Sequence, residues 1–380
     1  MDSSASLGGI HVDPQHFTLT VYWHGSLPAN ETSEIASDRA TGMTVDVASS
    51  AYTEAELVAE SKRLILTTPQ LQSGTHVSAV SPLGDGSGLT IAITGPSSAK
   101  IADPPSGILP AATITKYIPS LHTAYPHKLR RDEDRPSSYL GNGNSNFNRN
   151  SGGPGSYSIP GAYIRTWGSS FSLCTTGFAV SINSTGHDGI LTAAHCGWTD
   201  WYTGTLKSVG RTVSSSTTWD SQVISAYSID DVWGGPDVTD RYGTRQYTED
   251  VTGKAGSNWG DSVCESGSIT GEECWGTVSD TNTSTCDDKT HICYNGLVRA
   301  YVNGYQFVHA GDSGGPVYSL NGNGTVTAKG IIHGYFDRDG LSTCNTAFDG
   351  TYEGPDCGSA VLYEPIGNVE SALGVRVKLF

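Results

Sequence analysis

The stretch HAGDSGGPVY, residues 309–318, carries one acid and one serine among three glycines. A serine hydroxyl is a poor nucleophile unless a neighbouring base accepts its proton. Attack on a carbonyl also builds negative charge on oxygen, which needs hydrogen-bond donors already in place. Glycine leaves the backbone unhindered, so we expect the N–H groups of Gly311 and Ser313 to be these donors. The alternative is a surface turn with an incidental serine.

A second stretch, GILTAAHCG at 189–197, supplies a candidate base. His195 follows the end of a small-residue strand and directly precedes Cys196. Cys174 lies upstream in CTTGF, and a disulfide between these two cysteines would brace the loop that carries the histidine. Either stretch alone is a weak signal, whereas the two together in this order are specific for a serine activated by a histidine.

HAGDSGGPV, LTAAHC and CTTGF resemble the chymotrypsin-type serine endopeptidases, and specifically their secreted bacterial branch, the streptogrisin and α-lytic group. The resemblance covers residues 160–380. It implies a mainly β fold of two antiparallel six-stranded β-barrels with the active site between them. It also implies that Ser313 is the nucleophile and His195 the general base and then acid, in peptide hydrolysis through an acyl-enzyme intermediate. The resemblance implies no metal and no organic cofactor.

The third member of such a triad is an acid between the histidine and the serine. Asp220 opens DSQVI, where an acid precedes an apolar strand as in the family's motif. We predict that Asp220 holds the tautomer of His195 and stabilises the imidazolium. The alternatives in this interval are Asp200, Asp230, Asp231, Asp237 and Asp240.

The eight cysteines all fall between Cys174 and Cys357. An even number confined to one half of the chain predicts a disulfide-stapled domain and an oxidising compartment. CESGSITGEEC (264–274) is similar to a loop of streptogrisin-like enzymes and implies a disulfide between its two cysteines. The other four would pair most simply as Cys286–Cys293 and Cys344–Cys357, although spacing alone does not fix the connectivity. No C-x-x-C is present, so a zinc site is not expected.

The substrate pocket departs from the family pattern at two positions. His309 stands where many relatives have a cysteine, and Phe307 stands where trypsin-like members have an acid. We therefore expect an apolar or small P1 side chain. The residues predicted to line the pocket are Phe307, His309, Ala310, Ile332, His333 and Gly334.

The last three of these lie in GIIHGY (330–335), which resembles the strand that pairs with bound peptide. His333 is interpreted as a hydrogen-bonded wall residue, with a specificity role as the alternative. No Ile-Val-Gly-Gly precedes the catalytic part, so activation by a new amine that reaches Asp312 is not expected.

Residues 1–100 are predicted to form a small α+β domain. Alternating apolar residues predict strands in FTLTVYW (17–23) and MTVDV (43–47), and Thr53 with Glu56 forms a capping box before a helix. HVSAV and LTIAIT, separated by GDGSG, predict a β-hairpin. This unit resembles, more weakly, the pro-regions of the bacterial branch, which assist folding and block the cleft. An accessory binding domain is the alternative.

Residues 101–155 are rich in proline, glycine and asparagine and predict a linker with a processing site. The protease domain would then span 156–380. The formal net charge of −16 disfavours nucleic acid as a partner, and no apolar run approaches the length of a membrane span.

We expect a secreted monomer that acts on proteins or peptides and is inhibited by its own pro-region. MDSSASLGGI at the start lacks the basic and apolar parts of a signal peptide, so the export signal is expected to be missing from the chain as given. A non-catalytic binding protein on the same fold is the alternative. An α/β-hydrolase is disfavoured, because GDSGG fits G-x-S-x-G but its flanks are strand-like.

Overall fold

The computed structural model describes residues 6–67, 76–94, 112–117, 121–122, 161–166, 173–203, 208–234, 247–287, 292–336 and 357–380. Strands dominate this part of the chain, which confirms the mainly β fold class. Asp237, Asp240, Cys344 and most of the segment 101–155 lie outside the described residues.

The N-terminal part combines helices with short strands, as the sequence predicts, although the first of its two helices was not expected. Its elements are β1 (Leu7–Asp13), β2 (Thr18–Trp23), α1 (Ala29–Ala40), β3 (Thr44–Ser49), α2 (Glu54–Thr67), β4 (His76–Pro82), β5 (Leu89–Thr94) and β6 (Ala112–Tyr117). Strands β1, β2 and β3 form one sheet, and β4 pairs antiparallel with β5 as the predicted hairpin. The strand β6 falls within the segment 101–155 and pairs with β5.

The capping box at the start of α2 is confirmed. The backbone N–H of Glu56 donates to Thr53 Oγ1 at 3.2 Å, and the N–H of Thr53 donates to Glu56 Oε2 at 2.9 Å. These two bonds satisfy amides that a helix start otherwise leaves open. The helix then buries Leu57, Leu64 and Ile65 against β4 and β5.

The first large sheet has eight strands in the order β25-β10-β11-β14-β13-β12-β8-β9. Their bounds are β8 (Tyr163–Thr166), β9 (Leu173–Thr175), β10 (Ala179–Ile182), β11 (Asp188–Ala193), β12 (Asp200–Tyr202), β13 (Ser208–Ser216), β14 (Ser221–Ser225) and β25 (Val375–Val377). Both β11 and β14 are almost entirely buried, and their ends support the histidine turn described below.

The second large sheet has twelve strands in the described chain and includes β4, β5 and β6. Its other members are β7 (Leu121–His122), β15 (Asp231–Gly234), β16 (Tyr247–Lys254), β17 (Ser262–Gly267), β18 (Gly271–Cys286), β19 (Cys293–Tyr301), β21 (Pro316–Leu320), β22 (Thr325–Phe336) and β24 (Ala360–Pro365). The strands β20 (Val308–His309) and β23 (Cys357–Gly358) form a separate pair, and the helix α3 (Ile366–Leu373) packs on the core. The expectation that these sheets form two barrels of six strands each stays a prediction.

The N-terminal part is joined to the second large sheet through β4 and β18. Ala79 and Val80 pair with Thr285 and Ser284. Thr285 Oγ1 donates to the carbonyl of Ser78 at 2.7 Å, in a buried position. The two parts therefore share backbone hydrogen bonds and do not meet through side chains alone.

Three of the four predicted disulfides are confirmed, namely Cys174–Cys196, Cys264–Cys274 and Cys286–Cys293. Cys357 is also disulfide-bonded. The first bridge connects β9 to the turn after β11, and the other two lie within or beside the long strand β18. None of the helices in the described ranges is long and apolar enough to cross a membrane.

Two carboxyl groups meet between β16 and β18. Burial, together with the charge of Glu272 and a hydrogen bond with it, raises the pKa of Glu249 to about 7. Glu272 also accepts hydrogen bonds from the hydroxyls of Tyr247 and Tyr318, both at 2.7 Å. The folded chain therefore favours the protonated form of Glu249, while the unfolded chain does not.

Glu249→Gln should stabilise the protein at neutral and alkaline pH and change little at about pH 4. Below the ordinary value of 4.5 the wild-type carboxyl is protonated in both states, so stability is complete there. Between that value and about 7 only the unfolded state loses its proton, and the wild type loses stability as pH rises. Denaturant midpoints of both proteins across this range measure the difference. Glu34→Gln, at an exposed position of α1, is the control. The prediction would be contradicted if the difference in denaturant midpoint between wild type and Glu249→Gln did not increase with pH.

Candidate active site

His195 lies in a 3₁₀ turn, Ala194–Cys196, that follows β11 directly. The disulfide of Cys196 fixes one end of the turn to β9. Gln222 of β14 braces both ends, because its side-chain amide donates to the carbonyls of Ala193 at 2.7 Å and Gly197 at 3.0 Å. The His195 side chain is 6% exposed, so its ring is held in a nearly dry position.

Asp220 is tied to the histidine turn by three hydrogen bonds. Its carbonyl accepts the N–H of Ala194 at 3.0 Å, and its Oδ1 accepts the N–H of His195 at 2.8 Å. Its Oδ2 lies 2.5 Å from His195 Nδ1. The backbone of Asp220 has φ +30°, a strained conformation for a residue other than glycine, and these bonds hold it there.

The Asp220 carboxylate has almost no contact with water. Burial alone would oppose its ionisation, but the charges of His195 and His333 and their hydrogen bonds outweigh that effect. The pKa of Asp220 is therefore lowered below its usual value, and the side chain is an anion. An ionised carboxylate at Nδ1 fixes the imidazole tautomer that leaves Nε2 free of a proton.

The Ser313 loop packs against the end of β11. Gly314 has φ +87°, and a Cβ on it would lie 2.3 Å from Thr192 Oγ1 and 2.6 Å from the backbone nitrogen of Ala193. The Gly314 N–H donates to the carbonyl of Ile332 at 2.8 Å. Only glycine permits this approach, which brings Ser313 to the strand end that carries the histidine turn.

The two predicted oxyanion donors are available. The N–H groups of Asp312 and Gly315 are used within the loop, bonded to the carbonyls of His309 and Asp312. Among the described residues, the N–H groups of Gly311 and Ser313 have no acceptor. Gly311 has φ +102°, a backbone conformation that favours glycine.

Asp312 anchors the loop in a way that the sequence did not indicate. Its carboxyl accepts the N–H groups of His309 at 2.8 Å, Ile269 at 2.9 Å and Thr270 at 3.2 Å, and also the Thr270 hydroxyl. Burial raises the pKa of Asp312, against the effect of these bonds. The carboxyl of Asp312, next to Ser313, is thus held by hydrogen bonds from the loop that the Cys264–Cys274 disulfide closes.

The residues predicted to line the pocket are all buried. Phe307, Ala310 and Ile332 belong to one hydrophobic cluster of the second sheet, and Phe307 fills the space in front of Gly276. The three remaining residues are His309, in β20, and His333 and Gly334, in β22. Contact of these six residues with substrate stays a prediction.

His333 has a contact that sequence reasoning missed. Its Nδ1 lies 2.7 Å from Asp220 Oδ2 and 3.6 Å from Glu364 Oε1. Burial and the charge of Asp220 raise the pKa of Glu364 well above its usual value. The sequence offered one signal, a histidine in the predicted peptide-binding strand, but nothing in it points to the aspartate.

The other aspartates of the interval lie elsewhere. Asp200 is exposed on β12, 3.8 Å from Arg211. Asp231 lies on β15 opposite Asp250, and burial, with the charges of Asp250 and Asp230, raises its pKa to about 6 against a hydrogen bond from Thr248. Of the described candidates, Asp220 is the one that the structure brings to His195.

Three groups of metal-ligand side chains occur in the described chain. Two of them, Cys174–His195–Cys196 and Cys264–Glu272–Cys274, contain cysteines committed to disulfides. In the third, His195–Asp220–His333, the separations of 2.5 and 2.7 Å are those of hydrogen bonds. Ligands of one zinc ion each sit about 2 Å from it, and so stand farther apart than this. This third group therefore suits a shared proton better than an ion.

The motifs and the geometry around Ser313 resemble those of the bacterial chymotrypsin-type serine endopeptidases, and similarity to a curated protein of that type supports the resemblance. One such relative is streptogrisin-C of Streptomyces griseus, which is 31% identical to this chain over 204 residues. The match covers 54% of this chain and 38% of streptogrisin-C, so the chain spans well under two thirds of that relative. No family model matches the chain.

Among solved structures, Thermobifida fusca protease A is 24% identical, with 58% of this chain and 98% of that chain covered and a TM-score of 0.40. Cellulomonas bogoriensis chymotrypsin is 25% identical, and the match again covers 58% of this chain and 98% of that chain with a TM-score of 0.40. The roles assigned to individual residues therefore rest on the chain's own geometry.

Gly314→Ala should destabilise the protein by at least about 2 kcal/mol, because an L-residue at φ +87° is strained and its Cβ would overlap Thr192 and Ala193. Gly256→Ala is the matched control, since a Cβ there meets nothing within 4 Å. Denaturant unfolding of both variants measures the effect. If the two variants were equally stable, the close approach of the serine loop to β11 would be refuted.

Proposed function

We propose that this chain is a serine endopeptidase that hydrolyses peptide bonds through a covalent intermediate on Ser313. The observation that carries the proposal is the 2.5 Å contact of His195 Nδ1 with the buried, ionised Asp220. Such a pair makes a neighbouring imidazole a base for a hydroxyl. The Ser313 loop, with its two available backbone donors, packs against the same strand end.

The geometry supports a defined sequence of proton transfers. With Nδ1–H donated to Asp220, Nε2 of His195 accepts the Ser313 proton as the hydroxyl attacks the carbonyl. The N–H groups of Gly311 and Ser313 stabilise the charge that develops on the carbonyl oxygen. His195 then gives the proton to the leaving amine, and a water molecule releases the acyl group by the same steps in reverse.

Substrate recognition rests on the edge of β22 that no strand of the described chain occupies between β21 and β7. Strand β21 pairs with β22 up to Ile331, and β24 occupies the opposite edge. Both backbone groups of Ile332 are bonded to the Ser313 loop, at Gly314 and Gly315, so the segment left to accept a peptide strand is His333–Gly334. Phe307 and Ala310 make the surrounding wall apolar, which supports a preference for a small or apolar P1 side chain.

The N-terminal part supports a precursor form. Strand β7 pairs antiparallel with β22 at Tyr335 and Phe336, directly after the proposed peptide-binding segment. Ser313 is fully buried in the intact chain. We infer that residues 1–100, with the segment that carries β7, act as a folding and inhibitory pro-region. Removal by a cut within 101–155 would free the cleft.

The disulfides indicate the cellular context. Three disulfides indicate an oxidising compartment, so the proposed enzyme is a secreted one. Its partners are protein or peptide substrates and its own pro-region, and it acts as a monomer.

Ser313 should react with a fluorophosphonate probe at a rate that depends on Asp220. Asp220→Asn should lower both labelling and peptide turnover by on the order of 10⁴-fold, since the histidine would lose the tautomer that accepts the proton. Mass spectrometry of the labelled chain and a peptide-library assay provide the measurements. Asp231→Asn is the matched control and should leave both rates near those of the wild type. Labelling that persists in Ser313→Ala, or normal turnover in Asp220→Asn, would refute the triad.

Replacement of residues 118–125 by a glycine–serine segment of equal length should raise the labelling rate of Ser313 in the full chain. The reason is that β7 would no longer occupy the edge of β22. The same replacement at 141–148 is the control and should leave the rate unchanged. Equal labelling rates in the two replaced chains would show that β7 does not limit access to the serine.

A further inference from the structure

Asp220 is shared by two imidazoles and not by one. The same oxygen, Oδ2, lies 2.5 Å from Nδ1 of His195 and 2.7 Å from Nδ1 of His333. The two rings meet edge to face, with centroids 6.0 Å apart. His195 comes from the first large sheet and His333 from the second, so the carboxylate joins the two halves of the proposed active site.

The position of the protons follows from these distances. A nitrogen 2.7 Å from the oxygen of an ionised carboxylate must carry a proton, because two lone pairs at that distance would repel. Asp220 is ionised, so the proton lies on His333 Nδ1. The oxygen receives a hydrogen bond from His195 Nδ1, while His333 Nδ1 lies 2.7 Å away without the angle of a hydrogen bond in this structure, so a small rotation of the His333 ring completes the second one.

Glu364 lies behind His333, and burial with the charge of Asp220 raises its pKa well above the usual value. It is fully buried on β24, and neither of its carboxyl oxygens has a hydrogen-bond partner in the described chain. Its Oε1 is 3.6 Å from His333 Nδ1. An ionised Glu364 would compete with Asp220 for the Nδ1 proton, whereas a protonated one leaves that proton with Asp220.

The structure assigns His333 as a positioning residue of the proposed triad, whose Nδ1–H holds the carboxylate oxygen that orients His195. This assignment rests on the proposed function, since the triad itself is a proposal. His333 is fully buried, and the groups that face it are His195, Asp220, Glu364 and the ring of Tyr294, whose centroid lies 4.3 Å away. Its side chain therefore faces the aspartate, which sets it apart from a residue that selects substrates.

Two low-field N–H resonances test the shared proton acceptor without any activity measurement. Full-length Ser313→Ala protein labelled with ¹⁵N-histidine should show one strongly deshielded imidazole proton from His195 and one from His333. His333→Leu should remove one of them, while His187→Ala, at an exposed turn, should keep both. A single deshielded resonance in the parent, or two in His333→Leu, would overturn the assignment even if the chain proved to have no peptidase activity.

Kinetics separate positioning from a structural or specificity role. His333→Leu should lower kcat by about 10- to 100-fold with little change in KM, as expected for the loss of one hydrogen bond to a charged group. His333→Asn should recover much of the rate, because the asparagine amide can place an N–H where Nδ1 lies. A change confined to KM or to substrate preference, or no rescue by asparagine in a protein that folds, would overturn the assignment. Absence of labelling and turnover in wild-type protein cut within 101–155 would instead refute the proposed function.

The alkaline limb of the pH profile tests the neutral state of Glu364. Ionisation of Glu364 at high pH should draw the His333 proton away from Asp220 and lower turnover. Glu364→Gln cannot ionise, so its turnover should persist to higher pH than that of the wild type. Superimposable alkaline limbs would contradict the arrangement of protons proposed for this cluster.

Discussion

A carboxylate removed from water must find its partners within the protein, and this constraint on Asp220 organises the centre of the molecule. An unpaired buried charge would cost several kcal/mol, so the chain surrounds this one with donors. They come from the turn that follows β11, and His333 Nδ1, in a strand of the other large sheet, lies 2.7 Å from the same carboxylate. The positive φ of Asp220 belongs to the same arrangement, because its carbonyl and its carboxylate both bond to the segment 194–195.

The serine loop meets this centre through its backbone. Glycines at 311 and 314 allow close packing that a side chain would prevent, and the carboxyl of Asp312 pins the loop from the opposite side. Ser313, the proposed nucleophile, is therefore placed by main-chain contacts on one side and by a disulfide-closed loop on the other. Such rigid support keeps the donor pair in place before any charge develops, which is the condition for strong electrostatic stabilisation.

Local motifs in the sequence were enough to predict the mainly β fold and three cysteine bridges. The pairing of His195 with Asp220 followed from an acid placed before an apolar strand. The helix α1 was not expected, because Ile35 alone of its residues is buried and no apolar periodicity marks it. The contact of His333 with Asp220 joins residues of two sheets, and the hold of Thr270 on Asp312 likewise joins distant segments. Neither contact leaves a pattern in the local sequence.

The pairing of β4 with β18 has a consequence for the mature enzyme that we propose. Loss of the N-terminal part would uncover the backbone of Ser284 and Thr285, two residues of a long strand that β17 does not reach. An uncovered strand edge is a template for another chain. Removal of the N-terminal part would thus open the cleft and also expose an edge of the sheet. A second molecule or an extended segment of a target protein could add a strand at this edge.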